Sequence, residues 1–219
     1  MNPITQTQAL DVPSAIIQRR SIKSFKPDPI SPELLQKLVE LTVAAPSSYN
    51  LQDWRIVIVQ DETQKSALSA AAFNQQQIIQ APVTFVFAAE PHGERDLTTI
   101  LEQGLATGAW NEQVVNYFKT AVPQFQAGLG DKRREYAIKD AMIAATHLVL
   151  AAESLGLSTN FMNGWMEDKV KEVIGAADSD LAIAVLVPVG YAAQPRLNPG
   201  RLPLSANVFV DRISQPYQN

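Results

Sequence analysis

The sequence predicts an α+β fold around a central sheet, and three observations carry that reading. Three apolar runs, W-R-I-V-I-V (54–59), V-T-F-V-F-A-A (83–89) and L-A-I-A-V-L-V-P-V-G-Y (181–191), are short and rich in β-branched or aromatic residues, as strands are. Around them, apolar residues recur every three or four positions, the pattern of a helix with one buried face. No Gly/Ser-rich linker and no internal repeat divides the 219 residues, so a single domain over 1–219 is expected.

Asp11-Val12-Pro13-Ser14 starts a helix that should end near Arg19-Arg20. Residues 21–30 hold two prolines and read as extended chain. Ser31-Pro32-Glu33 supplies a cap, a proline and an acid near the helix dipole. Leu34, Leu35, Leu38, Leu41 and Ala45 follow at helical spacing, and Pro46 closes the helix. Residues 62–72 read helical, with a short second piece over 74–80. The near-continuous hydrophobicity of the second strand predicts burial on both faces. Residues 94–118 are mostly helical in pattern, with interruptions at Gly104 and Gly108. Pro123, Gly128 and Gly130 make 121–131 read as a mobile connection. The longest periodic segment, 133–155, stops at Leu155-Gly156. S-T-N-F-M (158–162) reads as a short strand, and 168–174 as a short helix stopped by Gly175. The tail from 194 has four prolines and should wrap a surface. Its N-V-F-V (207–210) is expected to pair with a sheet edge, that of a second subunit included.

Bulk properties exclude several chemistries. The chain has no cysteine and only His92 and His147, which argues against thiolate catalysis, disulfides and His- or Cys-based metal sites. Neither histidine lies near a G-x-S-x-G nucleophile elbow. A net charge of −4 attracts neither nucleic acid nor an anionic membrane as a whole. The longest strongly apolar run, 181–189, is too short to span a bilayer as a helix. M-N-P-I-T-Q-T-Q lacks the basic start and apolar stretch of a secretory leader, so the cytoplasm is the expected location.

Five clusters hold the residues that can bind something. R-R-S-I-K (19–23) puts three cations and a hydroxyl in five residues. On extended chain Arg19, Ser21 and Lys23 share a side, a donor set that suits phosphate; the plainer reading is cations favoured at a helix C-terminus. Pro46-Ser47-Ser48-Tyr49-Asn50 is either a helix stop with side-chain turns or a ligand loop. Asn74 and Gln77 carry amides that suit a heteroaromatic edge, or simply decorate a polar surface. In F-M-N-G-W (161–165), Gly164 lets backbone approach a ligand or makes a turn. Arg201 stands between prolines, where arginines are usually solvated.

Taken in order, R-R-S-x-K-x-F, A-P-S-S-x-N-x-Q-x-W, F-N-x-x-Q…A-P, D-A-M-I-A-A-T-H-L-V-L-A-A-E-S-L-G-L, M-N-G-W and P-V-G-Y…R-L-P-L resemble the FMN-dependent nitroreductase family, from about Pro13 to Val210. The resemblance implies a three-layer α+β fold, with a central, mainly antiparallel sheet flanked by helices and a C-terminal tail reaching onto the partner subunit. It implies a homodimer with FMN at the interface. Arg19, Ser21 and Arg201 would hold the FMN phosphate, with Arg20 close by. Lys23, Asn74 and Gln77 would face the pyrimidine edge of the ring. Pro46, Ser47, Ser48 and Asn50 would come from the partner, and Met162, Asn163 and Gly164 would lie near flavin N5. The implied activity moves hydride from NAD(P)H through flavin N5 to a nitroaromatic, quinone or similar acceptor by a ping-pong mechanism. No side chain need act as catalyst, and no metal is implied. Alternatives on the same fold are a dehalogenase or flavin-cleaving enzyme, or a flavin-binding protein without catalysis.

Four positions depart from the family pattern. Gln77 stands where a lysine is frequent, which implies a flavin harder to reduce. Pro199 replaces a frequent basic residue, Asn163 a Glu or Gly, and Asp53 a proline. The segment 110–130 is the expected cover of the active site, where Trp110, Tyr117, Phe118 and Phe125 either stack on a planar substrate or, for at least two of them, pack on the core.

Overall fold

The computed structural model describes residues 9–218; the N-terminal octapeptide on which the leader reading rests lies outside them. At the centre is a four-stranded sheet in the order β1-β2-β4-β3, with β1 Trp54–Val59, β2 Val83–Ala89, β3 Ser158–Thr159 and β4 Ala182–Gly190. Every pairing of these strands is antiparallel, as the resemblance implies. The two central strands, β2 and β4, are buried along their whole length, because helices cover both faces of the sheet.

On one face Phe85, Phe87, Val185 and Val187 pack against α7, Arg133–Ser154, and against Leu38 of α2, Pro32–Val43. Helix α7 turns Ala137, Ala141, Ala144, Ala145 and Ala152 inward, and side chains this small let its backbone lie close to the sheet. On the other face Val86, Ala88, Ile183 and Leu186 meet α3 (Glu62–Ala71), α4 (Gln76–Gln80) and α8 (Glu167–Val173). Period-two alternation along β2 thus sorts its residues into two cores, making three layers. The helix starts follow the sequence. Asp11, Ser31 and Asp61 each accept a hydrogen bond from the backbone N–H three residues on, at 2.8, 3.2 and 2.9 Å. The first of these caps α1, Val12–Gln18.

Four expectations need correction. Residues 121–131 are no mobile connection: α6, Glu112–Leu129, runs straight through Pro123. Burial of Val122 and Gln126 holds that turn in place, so packing overrides proline's helix-breaking tendency. Gly104 does not interrupt a helix but sits inside α5, Leu97–Ala106, where the Trp110 ring occupies the space a side chain would need. Only Gly108, at φ 72°, marks the break. The helical piece expected over 74–80 begins at Gln76, because Phe73 and Asn74 take positive φ. In the tail, after the short α9 (Leu204–Asn207), Phe209 bridges to Pro216 of the same tail rather than to a sheet edge of this chain.

Candidate functional site

The segment after α1 alternates as expected: Ile22 is buried while Ser21 and Lys23 stand exposed. It is tied to the sheet by a parallel bridge from Ser21 to Thr159 and by the Ile22 N–H to Thr159 O bond of 2.9 Å. Arg19, Arg20, Ser21 and Arg201 line one cavity of about 390 Å³ with Arg196, Leu197 and Pro199. Two segments about 180 residues apart thereby gather four guanidinium groups. Their local roles differ. Arg20 Nη1 donates to the carbonyls of Ile17 and Arg19 at 2.7 and 2.8 Å, closing the helix end as the plainer reading anticipates. Arg201 is steadied by Asn198 Oδ1 at 3.3 Å and by the Gly200 carbonyl at 2.6 Å. Arg196 reaches the Ser21 carbonyl at 3.4 Å.

Beside this cavity Lys23 Nζ donates to Asn160 Oδ1 at 3.1 Å. Burial, and then the charge of Arg196, hold the Lys23 ammonium below the ordinary lysine range. Asn160 is completely buried, and its Nδ2 has no hydrogen-bond partner among the described residues. The strip continues through 161–165. Gln75 Nε2 donates to the Gly164 carbonyl at 3.0 Å, and a methyl group on Gly164 would meet Gln75 and Phe73 at 3.4 and 3.6 Å. Asn163 and Asn74 are exposed along this strip and Gln77 is half-buried. Met162 belongs to the fold: its side chain enters the core, and its N–H and C=O pair with Leu186.

The loop at 46–52 is a separate region. None of its hydrogen bonds reaches 19–23, 74–77 or 160–164 among the described residues. Ser47 Oγ accepts from the Gln52 N–H at 2.9 Å, and the Ser48 N–H donates to Asp140 at 3.2 Å; Asn50 and Pro46 are exposed. Tyr49 is clasped by Phe118 and Phe125 of α6, at centroid distances of 5.3 and 5.5 Å. Trp110 packs edge-on against Phe118 and Phe125 against Tyr136, while Tyr117 stays exposed. Three of the four aromatics of 110–130 therefore pack on their own surroundings and on this loop.

Sequence reasoning missed Asn160 and Arg196. An amide in the short strand-like run S-T-N-F-M, directly before apolar Phe161 and Met162, was the available signal for Asn160. Arg196, three residues before Pro199, supplies a cation for the one missing at Pro199.

A sequence model described as "Nitroreductase family" matches residues 16–191. The chain belongs to the nitroreductase family. Among its family relatives, a protein named NADH dehydrogenase from Thermus thermophilus is 35% identical over 201 residues, covering 91% of this chain and 96% of that one. Protein DrgA of Synechocystis is 30% identical over 212 residues, 93% and 98% of the two chains. Among solved structures, a nitroreductase family protein from Streptococcus pneumoniae superposes with a TM-score of 0.80 at 25% identity, over 92% of this chain and all of that one. A protein of Exiguobacterium sibiricum, described as a nitroreductase in complex with FMN, shares the fold at a TM-score of 0.86 and 24% identity, covering 92% and 98%. This nitroreductase fold places the arginine cavity and the Lys23–Asn160 pair side by side along one edge of the sheet. No helix among the described residues is long and apolar enough to cross a membrane.

Proposed function

We propose that the chain is an NAD(P)H-dependent oxidoreductase that works through FMN and reduces nitroaromatic, quinone or similar acceptors by a ping-pong mechanism. The observation that carries this reading is the arginine cavity set against Lys23 and a buried amide with an unspent donor. Guanidinium groups and Ser21 match the oxygens of a phosphate. Lys23 and Asn160 suit a ring edge that gains electron density. The residues present therefore fit FMN.

In this reading Arg19, Ser21, Arg196 and Arg201 would hold the FMN phosphate, while Arg20 mainly finishes α1. Lys23 would set a positive charge at the pyrimidine edge, and Asn74 and Gln77 would offer amides there. Asn163 and Gly164 would lie near N5. When bound, FMN supplies the redox chemistry through N5. The protein's own work is to bind, orient and exclude water. Pro46, Ser47, Ser48 and Asn50 meet the flavin of a neighbouring chain in a homodimer. This fits their separation from the arginine cavity within one chain and the exposed apolar side chains of α1 and the tail, among them Val12, Ile17, Leu197 and Ile213. The tail reaches onto that neighbour, and 110–130 covers the site through its grip on Tyr49.

The absorption spectrum of the purified protein tests the proposal. Yellow protein bleached anaerobically by NADH or NADPH, and recoloured by a quinone or nitro compound, is the expected outcome. Yellow protein inert to both nicotinamides leaves flavin binding without this activity. A monomer that FMN does not reconstitute ends the reading.

A further inference from the structure

Under the loop at 47–52 lies a cluster of carboxyl groups that flavin binding does not use. Asp53 is 1% exposed, and its Oδ1 has no hydrogen-bond partner among the described residues. It presses on Gly93, where a methyl group would lie 1.6 Å from that oxygen. Asp140 of α7, 4% exposed, accepts the Ser48 N–H. Glu90 accepts the His92 N–H at 2.8 Å, and Glu94 is bound by Arg133 at 2.6 Å while its other oxygen is buried with no partner among the described residues.

Asp53 and Asp140 thus lie buried under the same loop, the Glu90 N–H donates to the Asp53 carbonyl at 3.0 Å, and the charges of Asp140 from α7, Arg55 from β1, and Glu94 and Glu90 from the connection after β2 act on the Asp53 carboxyl. Arg55 is committed elsewhere, to Trp54 O at 3.0 Å and Asp96 at 2.5 Å. Around the rim, His92 lies near Glu94 and Asp180, and Arg95 near Glu90 and Asp180. A buried carboxylate without a donor is costly, and two such neighbours do not both ionise cheaply. Burial, then the charge of Asp140, push Asp53 up to about 7, with Arg55 opposing. Burial also raises Asp140, which the Ser48 amide draws back down. Asp53 is therefore the member that keeps the proton.

The loop above needs holding. Tyr49, Asn50 and Gln52 take φ of 52°, 56° and 52°, a left-handed region that side-chain-bearing residues enter at a cost.

We propose that Asp53 is a proton-bearing positioning residue for the loop: while neutral it leaves the Asp140 carboxylate free to grip the Ser48 amide, and once its proton passes to solvent, repulsion between the two acids loosens that grip. The consequence for cofactor binding rests on the function proposed above; the grip itself does not.

Hydrogen–deuterium exchange over 47–52, corrected for intrinsic rates, tests this in the full chain with and without FMN at pH 6 and pH 8.5. Protection in the unmodified protein should fall roughly tenfold at the higher pH. Asp53→Asn should keep its protection at both. Constant protection in the unmodified protein, or the same fall in Asp53→Asn, overturns the proposal. Should Asp53→Asn not fold, Asp140→Asn serves, because without the second charge the pH dependence must vanish; its persistence is equally fatal. FMN affinity, read by flavin fluorescence at the same two pH values, separates the two readings. A loop that loosens with no change in affinity supports the proton switch and overturns the assignment of this loop to flavin.

Discussion

The arginine cavity and the loop at 46–52 show two opposite ways of building a binding surface. The first gathers guanidinium groups whose ends stay near water and whose charges can meet a ligand directly. The second sits on buried acids and exposes mostly backbone and small polar groups, kept in strained φ by Asp140, Ser47 and the aromatics of α6. Charge at the cavity is, under the proposed function, a recognition element. Charge under the loop is a structural element, and its protonation state decides whether the loop stays set.

Breaking the first region should have the largest effect. Arg19→Ala with Arg201→Ala should weaken FMN binding by about three orders of magnitude, since charge-assisted bonds contribute roughly 1.5–3 kcal/mol each. Thermal stability without FMN should barely move; fluorescence titration and melting curves read the two. An unchanged affinity would place the phosphate elsewhere.

Stressing the second region should show in stability against pH. Asp53 has a raised pKa when folded, so between pH 4 and about 7 the unfolded chain ionises while the native chain keeps its proton. Stability therefore falls as pH rises across that window and levels off above it. The contribution is on the order of 2–4 kcal/mol for this buried group. Urea unfolding should show the slope, and Asp53→Asn should lack it. Gly93→Ala forces Asp53 Oδ1 aside and should cost about 1–3 kcal/mol of overpacking strain, measured the same way, with a loss of FMN affinity only if the loop serves the flavin.

The smallest effect lies along the strip beside the cavity. Gln77→Lys adds a cation beside the ring edge and should raise the flavin midpoint potential by roughly 30–60 mV, one to two decades for a two-electron couple. A redox titration that finds it unchanged or lower would show that Gln77 does not face the ring.

Much of the candidate site's geometry was legible because local chemistry places it. Extended chain exposes Ser21 and Lys23 around buried Ile22, and Asn198 with Gly200 turns Arg201 into place within four residues. Arg196 and Asn160 were not legible: each acquires its role from a partner more than 130 residues away. Asp53 was visible only as a departure from a family pattern, since nothing in L-Q-D-W-R says that its carboxyl will be buried against Gly93, within the influence of the Asp140 charge.

By itself, the amino-acid order determined most of the helices, the three main strands and the double-sided burial of the second, because periodicity and caps act within a few residues. It also carried the ordered motifs that mark the family. Only the tertiary structure decided that α6 continues through Pro123, that four arginines share one cavity, and that two aspartates are buried beneath a strained loop. Those outcomes depend on burial and on charges brought close across long stretches of chain, and the energies of desolvation and repulsion exist only once the chain has folded.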